Sequence, residues 1–567
     1  MASCNKEKPE IVQEIVLNDQ WKFSTGDSLI WAEVGFDDSG WNTISTTKSW
    51  EDQGYPGVDG FGWYRKELVL SDSIKDQINK YGGLMVRYVN ADDADEFYFN
   101  GKLIGITGAM PPAYVSKYGQ KREYIVSAEF VSFDKPNVLA VRVYDGIGGG
   151  GLLTPNTIIR PLCACDVLRF TYDFPAKEWV FAEGETQEMN MKITNILAEK
   201  SKFNVVMVIT TDDYQAVDSI VKKCVIKSLD SLTVNIPLKL EKPGFYRCKL
   251  YIEKEGTIGS PQTFNIGFDP EKIQSPLDAK ADLESFWVES REMLDKVVPN
   301  YKLTLLKDRS TGEKNIYHVE MMSFGNTKIE GFYAAPKTAG KYPAIAYYMG
   351  YGSDPWYPDT NGDPDFACFV LSVRGQGIQK ATSIYGDWIV WGLESKENYY
   401  YRGAFMDLVR AIDFLVSRPE VDAEKIVAEG GSQGGAFTIA ACALDKRIKA
   451  AAPTVPFLSD YRDYFRIVDW PRSSFETYLN ANAGSSWEAI YDVLTYFDIK
   501  NLAPWIECPV FMAAGLQDEV CPPHTNFAAY NQIKSEKQYV IYHDQGHGTP
   551  TEWYDLHMNF YRERLGL

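Results

Sequence analysis

Between residues 11 and 165 the apolar positions come in short runs that mix β-branched and aromatic side chains. The runs 84–89, 96–99 and 138–144 are the plainest, and Gly, Asp or Asn separates them. Runs of this length and make-up predict strands. Asn100-Gly101, between the runs 96–99 and 102–104, predicts a two-residue hairpin, because both turn positions require positive φ. Successive strands with no helical period predict an all-β sandwich or jelly roll over residues 10–165. Residues 166–268 alternate in the same way at 189–193, 203–209, 232–236 and 245–252. A stretch of about 100 residues with turns between such strands predicts an immunoglobulin-like sandwich. It contains no His, and no catalytic role is expected of it.

The pattern changes after the Pro- and Asp-bearing connector at 269–282. Unbroken apolar runs, 343–349 and 366–373, now alternate with helical periodicity. Phe405, Leu408, Val409, Ile412, Leu415 and Val416 share one face of a helix. Continuous apolar strands alternating with helices predict a parallel sheet covered on both faces, an α/β domain over residues 276–567. No internal repeat occurs, which argues against a β-propeller ahead of that domain. The fold expected is therefore multidomain: two N-terminal all-β domains followed by an α/β-hydrolase.

The candidate chemistry begins at Gly430-Gly431-Ser432-Gln433-Gly434-Gly435, between a strand-like run at 425–429 and a helix former at 436–444. Strand, sharp turn and helix is the context of a nucleophile elbow. Ser432 has to hold a strained backbone that lifts its hydroxyl above the sheet, and side chains at 430 and 434 would collide with that turn. The serine then stands at a helix N-terminus, where free N–H groups and the dipole favour negative charge. A neutral hydroxyl needs a base within hydrogen-bond reach. In α/β-hydrolases the chain order is Ser, acid, His, with acid and base on loops after late strands. The run 538–543 predicts a terminal strand, with His547 between glycines in the loop after it. The run 508–515 predicts the strand before, with Asp518 in the loop behind it. Of the other four histidines, His318, His543 and His557 are expected to be structural. His524 is the rival base and Glu519 the weaker rival acid.

Two resemblances add to this. "DDADEFYFNGKLIG", "NVLAVRVYDGIGGGG" and the earlier "FDDSGW" resemble the sugar-binding-like jelly roll of family 2 glycoside hydrolases, a galactose-binding-like fold that often serves only as scaffold. "RGQG" at 374–377, "GGSQGG" at the elbow, "GLQDEVCPP" around Asp518, "GH" at 546–547, "DLVRAIDFLVSRPEVD" and "PTVPFL" resemble the family 7 carbohydrate esterases, the acetyl xylan esterases and cephalosporin C deacetylases. That likeness covers nearly all of residues 276–567. It implies a triad of Ser432, Asp518 and His547 and an oxyanion hole from the backbone N–H groups of Gln433 and of Tyr351 in "MGYGS". It also implies a serine esterase removing O-acetyl groups from xylan or xylo-oligosaccharides, with no metal or organic cofactor. Arg374 and Gln376 are expected to be ties beneath the site. Trp356, Tyr401 and Phe457 are candidates to line the acyl or sugar pocket. The sequence departs from the family at Gly548, usually Glu, and at His524, usually Ser, which bears on acyl and sugar preference. The rival readings are an esterase for a bulkier acyl group such as feruloyl, a peptidase of the prolyl-oligopeptidase kind, and a non-catalytic carbohydrate binder.

Composition narrows the partners. Net charge is −19 with no basic run to displace counterions from phosphates, so nucleic acid is not expected as a partner. The nine cysteines are scattered through 567 residues and form no disulfide framework. The small residues before Cys4 resemble the end of a bacterial lipoprotein signal. The expectation is a lipid-anchored protein of the periplasm or cell surface. Single-domain members of the esterase family assemble through this domain, so a homo-oligomer is expected unless the added domains block that contact.

Overall fold

The computed structural model describes residues 13–88, 91–146, 148–154, 156–196, 199–254, 256–358 and 365–567; the expected anchor residue, Cys4, lies outside them. The chain divides into two compact units. The first comprises Met1–Thr211, Ala216–Glu241 and Tyr246–Ile266, and the second comprises Asp212–Gln215, Lys242–Phe245 and Gly267–Leu567.

The first unit holds the two β-rich stretches, each with its own pair of sheets. In the jelly roll, Ile15–Val16, Ile158–Pro161, Gly83–Tyr88 and Arg122–Ser127 form one sheet. Asn42–Ile44, Trp21–Thr25, Gly60–Leu68, Asn137–Asp145, Ala94–Phe99 and Lys102–Thr107 form the other. Trp21, Phe23, Trp50 and Tyr64 are buried in the core between them. The Asn100-Gly101 hairpin forms as the sequence predicts, with φ 49° and 76° at its two positions. One short helix, Lys75–Tyr81, interrupts a stretch that reads as wholly β. The sandwich pairs Leu168–Asp173, Glu188–Asn195 and Ser231–Pro237 in one sheet. Gln262–Phe268, Gly244–Lys254, Ser201–Thr211 and Ala216–Ile226 lie side by side in the other.

The second unit is built on a nine-stranded sheet. In chain order its strands are β1 (Lys302–Leu305), β2 (Lys314–Ser323), β3 (Thr327–Pro336), β4 (Tyr342–Tyr348), β5 (Ala367–Ser372), β6 (Val421–Gly431), β7 (Ile448–Thr454), β8 (Val510–Gly515) and β9 (Lys537–Tyr542). They lie in the order β1-β2-β3-β5-β4-β6-β7-β8-β9. From β5 through β9 every neighbouring pair is parallel, while β1 to β3 and the β3–β5 pair are antiparallel. The antiparallel edge is not evident from the apolar runs, because β2 alternates buried and half-exposed residues and carries no continuous apolar signal. The central strands do: every residue of β5 is buried, as a strand covered on both faces requires.

The longer helices are α1 (Leu283–Asp295), α2 (Tyr400–Val416), α3 (Gln433–Leu444), α4 (Tyr461–Ile467), α5 (Arg472–Ala481), α6 (Trp487–Leu494), α7 (Pro523–Tyr530) and α8 (Glu552–Leu565), and a single helical turn, Ile499–Leu502, follows α6. The periodic face read from the sequence lies within α2. Four helices, α4 to α6 and the single turn Ile499–Leu502, stand between β7 and β8, where a single crossover helix would be enough. None of the helices among the described residues is long and apolar enough to cross a membrane.

Candidate active site

The turn from β6 into α3 sets the geometry. Ser432 caps α3 with φ 59° and ψ −120°, a conformation that costs a side-chain-bearing residue about 1–3 kcal/mol. Its neighbours hold it there. Ser432 N donates to Thr454 O at 3.0 Å, and its own carbonyl accepts from Phe457 N at 3.0 Å and Ala436 N at 3.1 Å. A Cβ at Gly430 or Gly434 would run into the Tyr348 carbonyl oxygen at the end of β4, so both positions need glycine if elbow and strand are to stay in contact.

Acid and base sit on loops after β8 and β9. Asp518 is buried, and its Oδ1 accepts from Val520 N at 2.8 Å and Cys521 N at 2.9 Å. That leaves Oδ2 to face the imidazole: His547 Nδ1 is 2.8 Å away. The two loops are tied together. Gln517 N donates to Gln545 O at 2.9 Å, and Gln517 Nε2 to His543 O at 2.8 Å. A Cβ at Gly515 would strike Gly546 O, so a glycine there lets the loops close on each other.

The buried thiol of Cys521 joins the three groups. Its sulfur lies 4.0 Å from Ser432 Oγ and within hydrogen-bond reach of His547. Burial pushes this thiol up, so it stays a neutral neighbour. Burial alone would lower the His547 pKa, but the Asp518 carboxylate and the hydrogen bonds around the ring outweigh it and hold the imidazole well above its ordinary range.

Both residues of the "RGQG" pair act as ties, as expected. Arg374 forms a two-pronged bond with Asp407, Nε to Oδ2 at 2.9 Å and Nη2 to Oδ1 at 2.7 Å. Gln376 bridges two loops: its Oε1 accepts from Gly352 N at 3.1 Å and from Gln433 Nε2 at 3.1 Å, and its Nε2 reaches Gln433 Oε1 at 3.2 Å. The segment carrying the Tyr351 N–H is thus tied to the residue carrying the Gln433 N–H. Gln433 opens α3, where the first N–H groups of a helix have no partner within it.

The pocket candidates need correction. Tyr401 is fully buried, and its hydroxyl donates to Gln433 Oε1 at 2.9 Å; it steadies Gln433 from below and offers a ligand no surface. Phe457 is 2% exposed, covered by Trp470, which stacks on it at 5.3 Å. Trp356 is exposed and packs edge-on against Tyr347 at 5.7 Å. Trp470 is not signalled by the sequence, because it is a lone aromatic outside any periodic run. A cavity of about 590 Å³ lies elsewhere in the unit, lined by Trp287, Val288, Met406 and Trp505 among others, and includes none of Ser432, Asp518 and His547.

Three of the other histidines, His318, His524 and His557, pair with other carboxylates. Glu519 is exposed. His318 meets Glu330 at 2.7 Å and His557 meets Glu429 at 3.0 Å, and His543 lies just past the end of β9. His524 Nδ1 is 2.8 Å from Asp212 Oδ2, and its Nε2 is 3.6 Å from Asp463 Oδ2. Burial would depress this imidazole, but Asp212, Asp463 and Asp460 raise it to about 10. Because the folded value exceeds the unfolded one of about 6.5, the stabilisation is complete below that pH and is lost as pH rises through about 10. The thermal midpoint of the wild type should therefore exceed that of His524→Gln by most at about pH 6, and the gap should close towards pH 10; a gap independent of pH would contradict the ion pairing. A Cβ at Gly548 would meet nothing within 4 Å.

Comparison with known proteins follows this geometry. The model of the acetyl xylan esterase family (AXE1) matches residues 271–564. The chain is 26% identical to the acetyl esterase Axe7A of Xylanibacter ruminicola over 327 residues, covering 55% of this chain and 73% of that one. It is similar to the solved acetyl xylan esterase from Paenibacillus sp. R4 at 32% identity and a TM-score of 0.49, over 52% of this chain and 98% of that one. A further 142 residues are 30% identical to the β-galactosidase BoGH2A of Bacteroides ovatus, covering 22% of this chain and 15% of that one.

Proposed function

The chain belongs to the acetyl xylan esterase family, and on that premise we propose that Ser432, His547 and Asp518 carry out its carboxylic ester hydrolysis on O-acetyl groups of xylan or xylo-oligosaccharides. The observation that supports this most is the 2.8 Å contact of His547 with a buried carboxylate, on loops that bring the imidazole to the same thiol as the elbow serine. In this reading His547 Nε2 removes the Ser432 proton as Oγ attacks the ester carbonyl. The sugar oxygen leaves with that proton, giving acetyl-Ser432 and a free hydroxyl. Water, deprotonated by the same imidazole, then releases acetate and restores the serine. Asp518 fixes the ring through Nδ1 and balances its positive charge.

The oxyanion of each tetrahedral intermediate is received by the N–H groups of Gln433 and Tyr351. Their spacing depends on Gln376, the tie between the two loops. Gln376→Leu should leave KM nearly unchanged and lower kcat by ~100-fold, the scale of a 1 Å misplacement of catalytic groups. Wild-type kcat in that variant would remove Gln376 from the mechanism.

Release of acetate from acetylated xylo-oligosaccharides, compared with hydrolysis of methyl ferulate, tests the substrate. A strong preference for ferulate would replace the acetyl reading. The N-terminal reading also stands as a proposal: Cys4 carries lipid and the protein lies in the periplasm or on the cell surface, as a homo-oligomer joined through the hydrolase domain. Detergent-phase partitioning lost on Cys4→Ser, and sedimentation of the full chain, would check the anchor and the assembly in turn.

A further inference from the structure

The link between α4 and α5 places one large ring against the elbow. Trp470 is 37% exposed. One face lies on the Phe457 ring, with centroids 5.3 Å apart and planes inclined by 18°, and Phe457 N is bonded to Ser432 O at 3.0 Å. The edge of the Trp470 indole meets the Tyr351 ring at 5.5 Å. Tyr351 is itself fixed, with its hydroxyl on Asp387 Oδ1 at 2.8 Å and Trp388 against its other side at 5.3 Å. Trp470 is therefore one ring away both from the backbone of Ser432 and from the loop that supplies the Tyr351 N–H. Its position is held by these aromatic contacts, while more than a third of its surface remains exposed.

A partly exposed indole fixed one ring away from the elbow backbone suits a flat, C–H-rich partner, because the ring's negative face attracts the weakly positive hydrogens of an aliphatic ring. An acetyl group presents a single methyl and gains little from such an area. A pyranose presents a whole face of axial C–H groups. We propose that Trp470 is the platform on which the sugar ring of the leaving group stacks, and so sets preference for carbohydrate esters over simple acetates. This rests on the assignment of acetylated sugars as substrates.

Trp470 is a specificity residue here, without a chemical step of its own, so the test is a ratio. The full chain and its Trp470→Ala, Trp470→Leu and Trp470→Phe variants would be assayed on acetylated xylotriose and on ethyl acetate, which has no ring. Trp470→Ala should raise KM for the sugar ester by ~10-fold, equivalent to ~1.4 kcal/mol, and lower the ratio of kcat/KM for sugar ester to that for ethyl acetate by a similar factor. Phe, which keeps a flat face, should recover most of the loss, and Leu should not. If Ala fails to fold, the contrast between Phe and Leu carries the same test. An unchanged ratio in Ala, or equal recovery by Leu and Phe, would overturn the platform. A wild type that cannot release acetate from acetylated xylotriose would overturn the substrate assignment, and the platform with it.

Discussion

Ser432→Ala should lower kcat by about 10⁵–10⁶-fold, the loss seen when the nucleophile of a serine hydrolase is removed, and should leave the fold intact. The elbow is held by hydrogen bonds of the backbone: Ser432 N to Thr454 O, and Phe457 N and Ala436 N to Ser432 O. None of these depends on the hydroxyl. Alanine also bears the same positive-φ strain as serine, so the thermal midpoint should move little. Steady-state release of acetate and a thermal melt would check both halves. Activity within a hundredfold of wild type would mean that another group attacks the ester.

Asp518→Asn should cost about 10⁴-fold in kcat, because an amide can offer its N–H to His547 Nδ1 and so stabilise the wrong tautomer. The variant carries a second signature. The Asp518 charge is the strongest influence holding the imidazole proton against the effect of burial. Without it the His547 pKa falls, and the acid limb of the residual pH–activity profile should move to lower pH. A profile with that limb unmoved would show that the carboxylate does not govern the base. The backbone bonds from Val520 and Cys521 to Oδ1 can also be made to an amide oxygen, so the loop should survive the change.

How far the sequence could be read follows from which interactions leave a local trace. The glycines around Ser432 are legible because a tight turn and close contact with the Tyr348 carbonyl restrict residue choice at fixed spacing. Asp518 and His547 are legible once the order of strands is known, because each follows an apolar run by a few residues. The Asn100-Gly101 hairpin is legible for the same reason, since both φ values are positive. The burial of Tyr401 and Phe457 is not legible, because aromatic identity does not say which side of a loop is wet; burial is decided by residues elsewhere in the chain, such as Gln433 and Trp470. The thiol of Cys521 gave no warning either. Its meaning comes from its distance to Ser432, which no spacing along the chain encodes.

The helices between β7 and β8 separate two kinds of selection. Strand register aligns the proposed nucleophile, acid and base, and any shift in it would disturb all of them at once. The loop joining α4 to α5 bears no such constraint, yet it delivers an indole against the rings of Tyr351 and Phe457. With Trp470 as the proposed sugar platform, exchanging this short crossover segment would retune preference while the reaction machinery keeps its alignment.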